Sequence, residues 1–463
     1  MRDGSPITWP VRELVAAFTA RELSPVEVAT EALDRIAALD PELHAFVTID
    51  RSMTLQQAQQ SEQAYRTGNP RALEGIPISV KDAFHISGLP TTLGSLHHLN
   101  DIATMDSGVV RRLRASGAVF TGKTNTAEFG QSATTDNLLG PDTLNPWDPS
   151  RTSGGSSGGA AASVAAGLSA LAVGSDGGGS VRIPAAFCGL FGIKPTRGRC
   201  PDEGGFRAMT DFVSPGPLAW TAADARPLLE VLSGRHYPRR LLRPLVIGYC
   251  AQPEGRPVHP GIRTSLDQVA GLLEQLGHKV IEMDLPLGGW NEVFGPLVLE
   301  DEGRERGHLL AEPDRLTEYE RRSLEAAARL DPADVEQARR DLPIYRQRIS
   351  DIFLTVDLVL TPSVATPAFE IGRRPRDIDG QPVDALWGAF PFAVPFNVAG
   401  TPAATVACGL VEDLPVGAQL VTPMHTDALL LEVAESLEEV LCFDRSPVLK
   451  RWVHPPSRSG LLA

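Results

Sequence analysis

The alternation of short β-rich runs with helical segments is the feature that most constrains the fold of this chain. Such alternation is typical of α/β proteins, in which helices pack against a largely buried sheet. The segments concerned lie at Ile76–Val80, Val109–Ala115, Ala118–Phe120, Leu168–Val173 and Leu245–Tyr249, the last followed by a helical Pro260–Leu276. We therefore predict an α/β layer architecture for most of the chain.

The second half of the chain returns to this pattern after a long helical stretch. Residues 301–351 are highly charged and predict helices, and the mostly apolar Ile352–Leu360 predicts another buried strand. Residues 367–383 are rich in Pro, Arg and Asp, which is typical of a surface loop. Because no repeat or low-complexity linker separates the halves, we predict a single domain over residues 1–463, with 301–351 as a helical insertion.

Charge and composition exclude several classes of protein. The net charge is −14 and no basic run occurs, so the positive surface of a nucleic-acid binder is absent. Gly158–Gly174 is mostly Ala and Gly and does not predict a membrane span, and Met1–Pro10 does not resemble a secretory signal. The five cysteines are scattered without a Cys-x-x-Cys pair, which predicts no zinc site and no disulfide framework and favours a cytoplasmic protein.

Two glycine-serine clusters, Gly154–Gly159 and Gly174–Ser180, are the most unusual stretches of the sequence. A glycine run that ends in a serine can direct several backbone N–H groups at one point, as an oxyanion requires. A serine nucleophile also needs a base, and a buried lysine can serve when burial lowers its pKa. Lys81 follows an apolar strand and is the candidate. From the residues alone, a flexible turn or an anion-binding loop is an equally good interpretation.

Several further motifs occur around these clusters. They are Gly75-Ile76-Pro77 with Lys81-Asp82, Gly122-Lys123-Thr124-Asn125 with Glu128-Phe129, Asn145-Pro146-Trp147-Asp148, the glycine clusters with Arg182 to Gly189, Leu360-Thr361-Pro362, Phe396 to Pro402, and Pro415 to Leu420. Through them the chain closely resembles the amidase signature family. The similarity is dense from about residue 72 to 220 and extends over most of the chain.

The resemblance implies a fold and a set of catalytic roles. The fold is a single large α/β domain whose central mixed β-sheet is covered by helices on both faces. Ser180 becomes the acyl-forming nucleophile, Lys81 the neutral base, and Ser156 the serine between them, reached through a cis peptide bond after Gly155. The backbone amides of Gly177, Gly178, Gly179 and Ser180 become the oxyanion hole. The implied reaction is hydrolysis of a carboxylic acid amide through a serine acyl-enzyme.

Other residues near the nucleophile receive supporting roles. Ser157 is expected to support Ser156. Asp176 and Arg182 either orient the nucleophile loop through hydrogen bonds or form an ordinary buried ion pair, and the sequence leaves both interpretations open. Cys188 lies in an apolar Ala-Ala-Phe-Cys setting and is expected to be a small core residue and not a reactive thiol.

One position departs from the family pattern. Gly177 stands where relatives commonly have threonine, so the backbone N–H is kept but a β-branched side chain is lost. We hypothesise that activity is retained. A Gly177→Thr variant with a much higher turnover number would show that the glycine weakens the site.

The resemblance implies a small-molecule amide substrate without a cofactor or metal, and leaves a homodimer open. Residues that select the substrate are expected near Phe206–Phe212, in 290–345 and in Trp387–Phe392. The aromatic residues of the last segment hint at an apolar or aryl acyl group, although aromatic residues at such spacing more often fill a core.

Three competing functions are weighed against the amidase. Gly117 to Thr124 matches the Walker A pattern of a P-loop nucleotide-binding protein, but Ala118–Phe120 predicts a strand where a loop is required. A glutaminase subunit that supplies ammonia to a partner for amidating aminoacyl-tRNA would share the same core. A catalytically inactive binding protein is disfavoured because Lys81, Ser156 and Ser180 are all present.

Overall fold

The computed structural model describes residues 4–239 and 243–453 of the chain. Strands and helices alternate along it, as the sequence pattern predicts. The strands are β1 (Phe46–Thr48), β2 (Pro77–Lys81), β3 (Val119–Thr124), β4 (Leu171–Asp176), β5 (Phe191–Lys194), β6 (Ser214–Ala219), β7 (Val246–Tyr249), β8 (Lys279–Glu282), β9 (Leu358–Pro362), β10 (Asp377–Ile378), β11 (Gln381–Pro382), β12 (Ala403–Val411) and β13 (Leu414–Val421).

The helices lie before, between and after these strands. They are α1 (Val11–Ala20), α2 (Pro25–Leu43), α3 (Arg51–Thr67), α4 (Gly108–Ala115), α5 (Gly158–Ala165), α6 (Arg182–Cys188), α7 (Ala222–Ser233), α8 (Pro260–Gln275), α9 (Trp290–Arg306), α10 (Glu318–Ala327), α11 (Pro332–Ile352), α12 (Val394–Ala399), α13 (Asp427–Leu441) and α14 (Ser446–Trp452). Short 3₁₀ turns occur among the connections.

One mixed sheet organises the fold. Its 11 strands follow the order β1-β3-β2-β4-β6-β5-β12-β13-β9-β7-β8. The neighbours β3, β2 and β4 run parallel, as do β9, β7 and β8, whereas β12 pairs antiparallel with both β5 and β13. The interior strands β2 and β4 are almost entirely buried, because helices flank the sheet. The predicted fold class, a single large α/β unit with a central mixed sheet, is confirmed.

The parallel pairing of β2 with β4 positions the region of interest. Ile78, Ser79 and Val80 lie opposite Leu171 to Val173, so the carboxyl ends of both strands meet at one edge of the sheet. Ligand and catalytic sites of α/β folds lie at such edges. Lys81 ends β2 and Asp176 ends β4, so two candidate site residues are brought together by strand register alone.

Two predicted segments differ from the structure. Val109–Ala115, placed among the β-rich runs, belongs to helix α4, where Val109, Val110 and Leu113 are buried on one face and Arg111 and Arg114 point outward. That spacing is helical. The strand expected over Ile352–Leu360 begins only at Leu358, because Ile352 still belongs to α11. The helical stretch predicted over 301–351 lies within the range of α9 to α11.

Lys123 explains why the Walker A pattern is not a P-loop. Its segment forms strand β3, and its Nζ is fully buried 2.7 Å from Asp82 Oδ1 and 2.8 Å from Thr91 Oγ1. A P-loop lysine must reach a bound phosphate. The ammonium of Lys123 is instead paired inside the core, and its neighbours leave no exposed backbone to wrap a nucleotide.

The length and apolar character of the helices decide whether any of them could span a bilayer. No helix among residues 4–239 and 243–453 combines the length and the apolar character that crossing a membrane requires.

Candidate active site

Lys81 is buried among hydroxyl groups at the end of β2. Its Nζ donates to Ser156 Oγ at 2.7 Å and to Ser175 Oγ at 2.9 Å. It forms no ion pair with any described residue. Burial therefore lowers the pKa of Lys81 to about 7, and the more distant charge of Asp176 only partly opposes that effect. A substantial fraction of the lysine is neutral near neutral pH, as a general base requires.

The two serines expected beside Lys81 both lie in the same cavity with it. Ser156 follows a cis peptide bond after Gly155, is buried, and accepts the hydrogen bond from Lys81. Ser180 is at the cavity surface, and its hydroxyl makes no hydrogen bond with a described residue. The structure thus places Ser156 against the amine of Lys81 at the cavity, and leaves the Ser180 hydroxyl available there.

The loop between β4 and α6 reaches the cavity at Gly177 and Ser180. Within the described chain, the amides of Gly177, Gly178 and Ser180 have no hydrogen-bond acceptor. The amide of Gly179 differs from the expectation, because it donates to Asp176 Oδ1 at 2.8 Å. An N–H has one hydrogen to donate, so Gly179 shapes the loop in this conformation, and the other three amides are without an acceptor among the described residues.

Asp176 and Arg182 form a fully buried ion pair that also holds this loop. Arg182 Nη2 lies 2.9 Å from Asp176 Oδ1, and Nε lies 3.0 Å from Oδ2. Asp176 Oδ2 also accepts from Val181 N at 3.1 Å. The guanidinium holds the pKa of the Asp176 carboxyl far below its usual range despite burial. Both interpretations that the sequence left open therefore describe the same pair.

Residues from the C-terminal half complete the environment of Arg182. Its Nη1 donates to Gln419 Oε1 at 2.7 Å and its Nη2 to Asn397 Oδ1 at 2.5 Å. Asn397 Nδ2 in turn donates to Asp176 Oδ1 at 2.8 Å. Asn397 and Gln419 lie in motifs noted for the resemblance, but the sequence analysis assigned no role to either. Only the fold shows that they contact the ion pair.

Ser157 joins the two glycine-serine clusters. Its N–H donates to Ser180 O at 3.2 Å, and its hydroxyl contacts Ser175 N and Ser175 O, both at 3.3 Å. A Cβ on Gly174 would lie 2.8 Å from Ser157 Oγ, so glycine is required there by the close approach of the clusters. Ser175, which sequence reasoning missed, contacts both Lys81 and Ser157; its place inside the second cluster was the available signal.

A side chain larger than glycine at position 177 would require Met209 to move. A Cβ built on Gly177 would overlap the Sδ of Met209, which lies across the loop. The glycine is thus matched to its neighbour, and a Gly177→Thr substitution is a test of that contact as much as of loop rigidity.

The cavity in front of Ser180 has a volume of about 490 Å³. Its apolar walls include Phe84, Leu93, Phe129, Phe206 and Met209. Phe206 to Thr210 belong to a segment expected to select the substrate. Within the described chain, the lining includes no residue of 290–345 or of Trp387–Phe392; Trp290, Phe294 and Trp387 instead pack together in a core cluster behind the loop.

Charged residues surround the mouth of the cavity. Asp202 accepts from Val109 N at 2.8 Å, and Glu203 lies 3.2 Å from the guanidinium of Arg112. Arg197 and Arg207 also line the cavity but form no ion pair within the described chain. Both signs of charge are therefore present at the rim, above walls that are mainly apolar.

Two further expectations concern the thiol of Cys188 and metal-binding side chains. Cys188 is buried in the core and burial raises the pKa of its thiol, in agreement with a packing residue. Among residues 4–239 and 243–453, no group of three or more His, Cys, Asp or Glu side chains is placed to hold a metal ion.

Comparison with known proteins by sequence gives two results. A family model described as Amidase matches residues 27–431. The chain is 33% identical over 475 aligned residues to the A subunit of glutamyl-tRNA(Gln) amidotransferase from Carboxydothermus hydrogenoformans, in an alignment that covers 92% of this chain and 96% of that protein. It is also 33% identical to the same amidotransferase component of Chromohalobacter salexigens, with 92% and 95% covered.

Comparison with solved structures gives amidases as the similar proteins. A crystal structure of an amidase superposes with a TM-score of 0.88 at 30% identity, covering 93% of this chain and all (100%) of that one. A bacterial aryl acylamidase of the amidase signature enzymes superposes with a TM-score of 0.88 at 26% identity, covering 98% and 100%. Sequence similarity thus points to amidotransferase subunits and fold similarity to amidases.

The Arg182 network leads to a prediction about stability. Arg182→Lys keeps the charge but cannot contact Asp176, Asn397 and Gln419 together. We expect the free energy of unfolding to fall by about 3 kcal/mol or more, because at least two hydrogen bonds to charged groups are lost. Urea unfolding measures this. The matched control Arg321→Lys, at an exposed pair with Glu325, should change it by less than about 0.5 kcal/mol; equal effects of the two variants would contradict the assignment.

Proposed function

This chain belongs to the amidase signature family, and from that premise we propose that it hydrolyses a carboxylic acid amide through an acyl-enzyme on Ser180. The observation that most supports the proposal is the environment of Lys81. Its amine contacts the hydroxyls of Ser156 and Ser175, has no carboxylate partner within the described chain, and has a pKa lowered to about 7. A neutral amine in that position can accept a proton, which an ordinary structural lysine cannot do at neutral pH.

The first step of the proposed reaction is attack by Ser180. Ser156 gives its proton to Lys81 as it takes the proton of Ser180, whose oxygen attacks the amide carbonyl carbon. Ser156 and Ser180 are not hydrogen-bonded to each other here, but such contacts are often long before substrate binds. The free N–H groups of Gly177, Gly178 and Ser180 support this step, because they can stabilise the developing oxyanion.

The second step releases the amine and regenerates the enzyme. Lys81, now an ammonium, returns a proton through Ser156 to the departing nitrogen, and the carbon–nitrogen bond breaks. Water then attacks the ester on Ser180 and gives its proton through Ser156 to Lys81, and that proton returns through Ser156 to Ser180 Oγ as the acid leaves. The products are a carboxylic acid and ammonia or an amine. The Asp176–Arg182 pair holds the loop that both steps use.

The cavity supports a stand-alone amidase as the first candidate. Its walls at Phe84, Phe129 and Phe206 suit an apolar or aryl acyl group. A linear amide of that kind would fit a volume of about 490 Å³ with the carbonyl at the Ser180 loop. We further propose that the protein acts in the cytoplasm; its five cysteines are all free, which suits a reducing compartment.

A glutaminase component of an amidotransferase is the second candidate, and sequence similarity favours it. The relatives matched over nearly their full length are named as a subunit of glutamyl-tRNA(Gln) amidotransferase. The rim of the cavity has acidic groups at Asp202 and Glu203 and guanidinium groups at Arg197 and Arg207 that form no ion pair with a described residue, which suits a zwitterion such as glutamine. In this case the protein would need partner subunits to use the ammonia.

Release of ammonia from a panel of amides tests the function and separates the candidates. We would use glutamine, indole-3-acetamide, benzamide and a fatty amide, with Ser180→Ala as the control. The stand-alone amidase predicts release from an apolar or aryl amide by the protein alone, lost in Ser180→Ala. The glutaminase component predicts release from glutamine that increases when partner subunits of a bacterial glutamyl-tRNA(Gln) amidotransferase are added. Release that persists in Ser180→Ala would contradict both.

The lowered pKa of Lys81 predicts how activity depends on pH. Below about pH 7 the amine is an ammonium and cannot accept a proton, so kcat/KM should rise with pH through an inflection near 7 and then level off. Steady-state rates across that range measure it. Lys194, also buried with a pKa lowered to about 7, is the matched control. Lys194→Met should keep the inflection, and a profile that is flat through neutral pH would contradict the role of Lys81.

A further inference from the structure

The contact between Met209 and Gly177 is an unusual feature of the cavity. A Cβ on Gly177 would overlap Met209 Sδ and would lie 3.4 Å from its Cβ and 3.5 Å from its Cγ. The φ of Gly177 is not positive, so its backbone does not itself demand glycine. A side chain at 177 would meet the thioether of Met209, which occupies that space and would have to move.

Met209 is held in this position by its own loop. Its φ is 49°, in the left-handed region that a bulky residue rarely adopts, and its carbonyl accepts from Phe212 N at 2.8 Å and from Val213 N at 2.9 Å. The next residue, Thr210, donates its N–H to Asp301 of helix α9 at 3.1 Å. The side chain packs against the core cluster that contains Phe212 and lines the cavity at the same time.

This position lies beside the reacting atoms of the proposed reaction. The carbonyl oxygen of a bound amide would lie at the N–H groups of Gly177 and Gly178, and the carbonyl carbon at Ser180. The substituent on that carbon must then fill the space that Met209 bounds. An unbranched thioether can adapt its rotamers to a range of shapes, but its volume still limits what fits.

We propose that Met209 is a specificity-determining residue that limits the size of the acyl group next to the reacting carbonyl, in place of a side chain at Gly177. The inference rests on the proposed acyl-enzyme at Ser180. The side chains at positions 177 and 209 therefore compete for one space. A side chain added at 177 must push the Met209 thioether into the cavity. Removal of the thioether must widen the cavity at the carbonyl carbon.

Labelling with two fluorophosphonates that differ in the size of the group on phosphorus tests this without knowledge of the natural amide, because the same pair of reagents is compared across variants. A methylphosphonofluoridate and its phenyl analogue each form a bond from Ser180 Oγ to phosphorus, while fluoride leaves and the serine proton passes to Lys81. The phosphorus substituent takes the place of the acyl group. The measured quantity is the ratio of the phenyl to the methyl second-order rate constant, with intact mass spectrometry reporting the adduct.

We expect Met209→Ala to raise this ratio by about tenfold or more, the discrimination that a change of one or a few methylene groups gives. Met209→Leu keeps the volume and should retain the native ratio. Gly177→Ala should lower the ratio, and Gly177→Ala combined with Met209→Ala should restore it.

The matched control is Met283→Ala. Met283 Sδ fills the same kind of space at Gly248, but Met283 does not line the cavity. The ratio measured for Met283→Ala should equal that of the native protein.

Two failures can be told apart. If Ser180 labels but the ratio is the same in the native protein, in Met209→Ala and in Gly177→Ala, the role of Met209 is overturned while the proposed function stands. If neither reagent labels Ser180 in the native protein, the proposed function fails and the inference fails with it. Gly177→Ala tests the same contact from the opposite side and does not depend on the folding of Met209→Ala.

Discussion

Burial of a lysine without a carboxylate partner is the constraint on which the rest of the site depends. Lys81 and Lys123 lie on neighbouring parallel strands and are both buried, yet Lys123 lies 2.7 Å from Asp82 and is a structural cation. Among the described residues, Lys81 contacts only hydroxyl groups and a carbonyl. Because a buried ammonium without a counterion is costly, burial favours the neutral form of the Lys81 amine. Lys123 has a carboxylate partner in Asp82, and Lys81 has none within the described chain.

The Asp176–Arg182 ion pair also affects the charge in the surroundings of Lys81. Asp176 is the carboxylate whose charge acts on Lys81, and it could raise the pKa of the lysine further if it were unpaired. Arg182 neutralises it, and Asn397 fixes its orientation. The same contacts hold the glycine loop in a conformation in which three of its amides have no acceptor among the described residues. One buried network thus contacts the loop and carries the charge that acts on Lys81.

Much of this could be predicted from the sequence, because the site residues lie in dense local motifs. Glycine clusters and family resemblance identify Lys81, Ser156 and Ser180, and the structure places all three in one cavity. What escaped prediction depends on contacts between distant segments. Asn397 and Gln419 reach Arg182 from more than 200 positions away, and Met209 fills the space at Gly177 from a loop that is hydrogen-bonded to helix α9. The hydrogen bond from Gly179 to Asp176 likewise depends on geometry that no spacing shows.

The most direct test of the account is the rate at which Ser180 becomes acylated in a single turnover. The protein would be mixed with an amide that it hydrolyses, quenched in acid, digested, and analysed by peptide mass. The account predicts an acyl adduct on the Ser180 peptide in the native protein and formation slowed by about 10² to 10⁴-fold in Lys81→Met, the range for loss of a general base. An adduct on another residue, or equally fast acylation of Ser180 without Lys81, would contradict it.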